Sequence, residues 1–183
     1  MMDFKAMERE REERAALTYP NPHIIYGDIW TLKNQYDYVV VTTNIGWKKN
    51  PRSNPTGVMG RGIALQAAQR YPGFQDAWGR HCCEYREGAE VSCWDIRWPL
   101  IAFPTKPHNP KAPHLSWQNS STMELLHKSM SELLTLIPML DPGRILLPPI
   151  GCGNGGLHRP TVEREVIFPA MQREPRLYYV QPG

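Results

Sequence analysis

The sequence has no apolar run approaching the ~20 residues that a membrane-spanning helix requires, so a helical membrane anchor is not expected. Its first 18 residues centre on Glu8-Arg9-Glu10-Arg11-Glu12-Glu13-Arg14 and lack the apolar heart of a secretory signal. A cytoplasmic location is the expectation. Cysteine is scarce: Cys82, Cys83, Cys93 and Cys152 show no CxxC spacing, and no histidines pair at metal-ligand spacing. That argues against a metal site or a disulfide scaffold and for reduced thiols used mostly in packing. Charge of one sign is also in short supply. A net charge of +3 suits an anionic ligand but is far from a nucleic-acid-binding footprint by itself. There is no internal repeat and no linker. With 183 residues the chain is long enough for one domain with a real core, here expected over 23–183 behind a charged extension at 1–22.

What is present is glycine in two places that matter. The apolar run Arg144-Ile145-Leu146-Leu147-Pro148-Pro149-Ile150 ends in Gly151-Cys152-Gly153-Asn154-Gly155-Gly156. Four glycines in six residues leave the backbone uncovered and permit positive φ, so successive N–H groups can converge on a diphosphate. A tight turn that merely needs glycine would require fewer. The second place is Gly57-Val58-Met59-Gly60-Arg61-Gly62, ahead of a helical pattern. It is not GxGxxG and lies a long loop beyond the preceding strand, which excludes a Rossmann site; neither turn is followed by GK[ST], which excludes a P-loop. What remains is Gly60-x-Gly62 feeding a helix N-terminus, where free N–H groups favour an anion. The two turns are expected to face each other across one ligand.

Along the chain, His23–Trp30 reads as a strand entering a turn, and Tyr38–Thr43 as a strand buried on both faces, ended by Asn44. Ile45–Thr56, with Lys48, Lys49, Arg52 and two prolines, reads as a basic loop. Gly62–Tyr71 and Phe74–Tyr85 are expected helices. Ala89–Trp94 and Trp98–Phe103 are expected strands, placed to pair as a hairpin, with Pro104-Thr105-Lys106-Pro107 breaking off the second. The prolines between 99 and 113 predict an ordered, non-regular loop. Ser121-Thr122-Met123-Glu124 has the capping-box pattern and opens a helix whose buried stripe is Leu126, Met130, Leu133, Leu134 and Ile137. Strand 144–150, helix Thr161–Met171 and strand Arg176–Gln181 complete a layered α/β fold with a mixed sheet.

Individual residues support two readings each. Asp28, at a loop start after a strand, suits an exocyclic amine such as that of adenine, or equally a helix N-cap. Asn44 suits a ribose hydroxyl or a turn. Lys106, between Thr105 and Pro107, suits a positioned amine that binds phosphate or reacts as a nucleophile once desolvated, or a plain surface lysine. Cys152 has no base near it in sequence and reads as a small packing residue.

Together these segments resemble a family. Gly27-Asp28-Ile29, the strand ending at Asn44, GVMGRGIALQ at 57–66, Phe103-Pro104-Thr105-Lys106 and PPIGCGNGGL at 148–157 are similar to the macrodomains. More narrowly they resemble the branch of DarG-type DNA ADP-ribosyl glycohydrolases and the terminal ADP-ribose protein glycohydrolase. The resemblance covers roughly 23–181. It implies a three-layer α/β/α fold that binds ADP-ribose and needs no cofactor. It implies that Asp28 binds the adenine amine, with Ile29 flanking the base, and that Gly151, Cys152, Gly153, Asn154, Gly155 and Gly156 hold the diphosphate. Asn44, Met59, Gly60, Gly62, Ile63 and Ala64 would surround the distal ribose, with Thr105 beside Lys106 at the anomeric carbon C1″. The implied partner is ADP-ribose or an ADP-ribosylated macromolecule, DNA among the candidates, with no membrane involved. The implied activity is release of ADP-ribosyl groups; a non-catalytic reader and an ADP-ribose-1″-phosphate phosphatase are the alternatives. Two departures stand out. Gly155 occupies the place of an acidic residue in protein-glycohydrolase members, which leans towards the DNA type, and the 45–56 insertion is long for the branch.

Overall fold

A computed structural model describes residues 21–94, 97–140 and 143–181. The expected extension is therefore outside the described residues apart from Asn21 and Pro22.

The framework is a six-stranded sheet in the order β1 (Ile24–Tyr26), β8 (Leu177–Gln181), β7 (Ile145–Leu147), β2 (Tyr38–Asn44), β6 (Leu100–Lys106) and β5 (Ser92–Cys93). The first five run parallel and β5 pairs antiparallel to β6, so the sheet is mixed. β2 lies between β7 and β6, and Val39, Val40 and Val41 are fully buried, as its unbroken β-branched run requires.

Successive strand side chains point to opposite faces, and this creates two cores. Val40, Ile101, Phe103, Leu147 and Tyr179 face one way, beneath α4 (Met123–Leu136) and a carboxyl-terminal helical stretch. That stretch is α5 (Arg159–Val162), a π-helical turn at Glu163–Ile167, and α6 (Phe168–Arg173). Pro169 has no N–H to donate to the carbonyl of Glu165, and the wider turn precedes it. Val39, Val41, Leu100, Ala102, Leu146 and Val180 face the other way. They pack against α2 (Gly62–Arg70) and α3 (Phe74–Tyr85), with side chains of the short α1 (Ile29–Leu32) alongside. The result is the expected three-layer α/β/α arrangement.

Four expectations need correction. Residues 45–56 are not an irregular loop: β3 (Trp47–Lys49) and β4 (Pro55–Gly57) form a two-stranded antiparallel sheet. Its turn is closed by Asn50, whose Oδ1 accepts from the N–H groups of Arg52 and Asn54. The hairpin is pinned to α3, where Gln75 Nε2 donates to the Gly57 carbonyl at 2.7 Å and a Cβ on Gly79 would overlap the backbone of Thr56 and Gly57. Second, β6 does not break at Pro104 but continues to Lys106. β5 covers only Ile101 and Ala102, so beyond them one side of β6 is unpaired and a proline is tolerated. Third, the strand expected over 89–94 is reduced to Ser92–Cys93. Fourth, α4 is capped by Thr122, whose Oγ1 accepts from Leu125 N at 3.2 Å, and not by a box starting at Ser121. The N–H of Ser121 instead donates to the carbonyl of Gly155. Within the expected stripe of α4, Leu134 is partly buried and Ser129 takes a fully buried place, its hydroxyl donating to the Pro104 carbonyl at 2.8 Å.

Candidate functional site

Because β1, β7, β2 and β6 are parallel, their carboxyl ends share one edge of the sheet. The segments after them open a cleft of about 1650 Å³ there, where ligands sit in open α/β sheets. Asp28 and Ile29 line it after β1, Thr42, Thr43 and Asn44 within β2, Thr105 and Lys106 at the end of β6, and Pro148, Pro149 and Gly151–Gly155 after β7. Gly60–Ala64 closes the opposite side, so the two glycine-rich turns line one cleft.

The 151–156 turn is shaped by close packing. Gly151 has φ +67°, and a Cβ there would lie 2.8 Å from Leu126 Cδ1 of α4. Gly155 lies against Ser121, where a Cβ would overlap the hydroxyl. Gly153 has φ +38° with open space around it. The carbonyls of Gly151, Cys152 and Gly153 accept from Leu157, Gly155 and Gly156, which curls the turn into a single helical loop. The Cys152 thiol points back to the Ile150 carbonyl at 3.2 Å, and burial raises its pKa, so it stays protonated as a packing group. Gly156 sits on the exposed outer end of the loop and is not among the residues lining the cleft.

Across the cleft, Gly60 and Gly62 have open space where a Cβ would stand, and α2 begins without a side-chain cap. Its first N–H groups are therefore available to an anion. Asn44 holds this turn to β2: its Nδ2 donates to the Val58 carbonyl at 2.8 Å, and its own carbonyl accepts from Trp78 Nε1 at 2.9 Å. Met59 points inward and packs in the core with Trp78, not into the cleft. Alternate residues of an extended segment face opposite sides, which the motif alone does not reveal.

Asp28 realises the N-cap reading. Its Oδ1 accepts from the N–H groups of Trp30 (3.0 Å) and Thr31 (2.9 Å), and the residue remains exposed at the cleft. With the cap carried by Oδ1, the second carboxylate oxygen leaves the ligand reading open as well.

Lys106 is held rather than free. Its Nζ donates to the backbone carbonyl of Trp117 at 2.7 Å. Burial, and then the nearby Arg61 guanidinium, lower its pKa from the ordinary lysine range. Trp117 belongs to a 3-10 turn at Pro113–Gln118, and its indole faces the Arg61 guanidinium at 5.9 Å. The turn is braced from within: Ser116 Oγ donates to the Pro113 carbonyl and accepts from Asn109 N, and Asn119 Nδ2 donates to the Pro107 carbonyl.

Arg61, inside the Met59–Ala64 segment expected at the distal ribose, also lines the cleft, and so do Trp117, Gln118, Leu157 and Arg159, which the sequence did not single out. Arg61 lies inside a motif already singled out, and its position next to Gly60 and Gly62 was the available signal. Trp117 had none, since it reaches Lys106 only through the fold. Among the described residues there is no group of three or more His, Cys, Asp or Glu placed to hold a metal ion, and all four cysteines are free thiols.

The three-layer sheet with two glycine-rich turns lining one cleft at its carboxyl edge defines a macrodomain. No family model matches the chain. It is, however, 34% identical over 123 residues to the DNA ADP-ribosyl glycohydrolase of Thermus aquaticus, covering 62% of this chain and 31% of that protein. The protein of the same name from Mycobacterium tuberculosis is 34% identical over 120 residues, covering 62% and 32%. The chain thus spans about a third of the length of these curated relatives. Among solved structures, the macrodomain of M. tuberculosis DarG superposes with a TM-score of 0.66 at 28% identity, covering 87% of this chain and 98% of that one. The macrodomain of T. aquaticus DarG gives 0.63 at 28% identity, covering 86% and 95%. The chain has the macrodomain fold and is similar to the macrodomains of DarG proteins. Among its described residues no helix is long and apolar enough to cross a membrane.

Proposed function

We propose that this macrodomain binds ADP-ribose in the cleft and releases ADP-ribosyl groups from DNA. The observation that carries the reading is Lys106: an amine of lowered pKa, positioned by the Trp117 carbonyl, at the end of the cleft opposite Asp28 in strand order. The matched relatives bear the name of that activity. In this reading Asp28 takes the adenine amine, the 151–155 backbone takes the diphosphate, and Asn44 with Gly60–Ala64 surrounds the distal ribose. Glycine at 155, where a side chain would strike Ser121, suits a loop that works through its backbone alone.

The chemistry needs no cofactor. The neutral Lys106 amine attacks C1″, and the C1″–N bond to the acceptor base breaks as that nitrogen takes one of the amine's protons. The ring C1″–O4″ bond then opens, O4″ takes the second amine proton, and a lysine–C1″ Schiff base remains. Water adds to it, the C–N bond to Lys106 breaks, and ADP-ribose leaves with its C1″ aldehyde free to close again. The sum is one water consumed per acceptor freed, with no change of oxidation state.

The test is ADP-ribose release from an oligonucleotide carrying one ADP-ribosylated base, wild type against Lys106→Ala, with an ADP-ribosylated protein in parallel. Release from DNA that disappears in the variant is expected. Full turnover by Lys106→Ala would overturn the lysine chemistry. Binding of ADP-ribose with no release from either substrate would leave a reader, or a phosphatase to be tested on ADP-ribose-1″-phosphate.

A further inference from the structure

The small net charge conceals a segregation. Three segments, 38–75, 97–123 and 143–162, hold ten of the 21 basic residues and none of the 18 acidic ones. Together they supply most of the cleft lining, including Thr42–Asn44, Gly60–Ala64, Lys106, Trp117, Gly151–Gly155 and Arg159. The acidic residues lie elsewhere in the sequence, and among the described residues Asp28 is the one acidic side chain that lines the cleft.

The basic residues continue outward from Lys106 along one structural unit. The β3–β4 hairpin abuts the 3-10 turn that carries Trp117: a Cβ on Gly46 would lie 2.8 Å from the Pro113 carbonyl oxygen and 2.9 Å from Ser116 Cβ. His108 Nδ1 lies 3.0 Å from the Ile45 carbonyl and braces the same junction. Lys48 and Lys49 on β3 and Arg52 in the hairpin turn are exposed, and Lys111 is exposed on the loop leading to the 3-10 turn. Beside them Trp117 is 40% exposed at the cleft, with Arg61 over its ring. An exposed indole next to fixed cations is a stacking platform beside a phosphate track, the combination that holds single strands. Duplex bases are already stacked on one another and do not present a face to it.

We propose that the β3–β4 hairpin and the Trp117 turn form a binding edge for single-stranded nucleic acid, with Trp117 stacking a base next to Lys106. Lys48, Lys49 and Arg52 contact the backbone phosphates leading to it. This deepens the reading above and rests on it for the link to catalysis. Lys106 Nζ is hydrogen-bonded to Trp117's own carbonyl, which holds the attacking amine against the turn that carries the indole.

The experiment uses an unmodified fluorescent single-stranded decadeoxynucleotide, which does not require the ADP-ribose pocket. Anisotropy titrations at several salt concentrations should show affinity falling as salt rises. The double variant Lys48→Glu/Lys49→Glu, both exposed and remote from the core, should flatten that slope by about one to two. Trp117→Ala should weaken binding about 5- to 100-fold, and Trp117→Phe should restore most of it. A duplex of the same sequence should bind more weakly. On the ADP-ribosylated oligonucleotide the lysine variant should raise KM and spare kcat, while its calorimetric affinity for free ADP-ribose stays at the wild-type value. Salt-independent binding, equal affinity for duplex, or equal loss of affinity for the oligonucleotide and for free ADP-ribose would each overturn the proposal. Failure of the catalytic reading gives a different result, because an oligonucleotide that binds but is not released from ADP-ribose leaves the edge intact.

Discussion

The amine of Lys106 and the backbone carbonyl of Trp117 are joined by a 2.7 Å hydrogen bond that spans eleven positions of sequence. One of the amine's protons is thereby committed, and its orientation is set by a turn that is itself braced through Ser116 and Asn119. Removing the amine should lower the release rate by ~10²–10⁴, the range in which a positioned reacting group contributes. Single-turnover release measured for Lys106→Ala, alongside calorimetry with ADP-ribose to establish that the cleft is intact, checks this.

The pH dependence follows from the same group. Burial, followed by the charge of Arg61, favours the neutral amine, so the folded pKa lies below 10.5. The reactive form is lost as pH falls through that lowered value, and the rate should rise with pH on its acid limb. Arg61→Gln removes one of the two causes, which returns the pKa upward. The limb should move to higher pH and the rate at neutral pH should fall, while the alkaline plateau is retained. An unmoved limb would separate Arg61 from the titration.

Asp28 serves two roles that substitutions can divide. Asparagine is as good an N-cap as aspartate, so Asp28→Asn should keep α1 and the melting temperature. It replaces a carboxylate oxygen by an amide donor, and ADP-ribose affinity should drop about tenfold if the adenine amine is its partner. Asp28→Ala should lose both, with ~1 kcal/mol of stability attached to the missing cap. Thermal melts and calorimetry on the pair decide it.

Gly79 is the close contact between α3 and β4. A side chain there meets backbone, which cannot rotate aside. Gly79→Ala should cost ~1–3 kcal/mol and displace the hairpin, visible as a lowered denaturation midpoint. Its effect on oligonucleotide binding should exceed its effect on free ADP-ribose.

His81 supplies a stability signature at mild acid pH. It lies between Trp78 and Tyr85, its Nε2 accepts from Glu90 N, and burial lowers its pKa. The folded state therefore binds a proton less readily than the unfolded chain. Stability should decline as pH falls from about 6.5 towards the folded pKa, and then level off. Denaturant midpoints across that range, with His81→Gln as the control that flattens the curve, measure it.

Local pattern fixed much of this molecule in advance. Val39–Val41 could only be a strand buried on both faces, because a continuous β-branched run has no polar side to give to water. Phe74–Tyr85 read as a helix at its observed bounds from the spacing of Phe74, Ala77 and Trp78. The glycines of 57–62 and 151–156 marked uncovered backbone, and Lys106 stood out between Thr105 and Pro107. Those features depend on neighbours within a few residues. The remainder was decided by contacts that sequence spacing does not encode. Residues 45–56 became a hairpin because α3 offers Gly79 as a seat for it. Pro104 stayed within β6 because β5 is too short to need its missing N–H. Thr122 took the cap from Ser121 because the contact with Gly155, 34 positions later, holds the Ser121 N–H and buries its hydroxyl away from the helix start. Met59 turned to the core while its neighbours faced the cleft. Arg61 and Trp117 came to Lys106 only when parallel pairing brought the ends of β2, β6 and β7 to one edge, where the free energy of burying the sheet, and not any local preference, determines which residues meet.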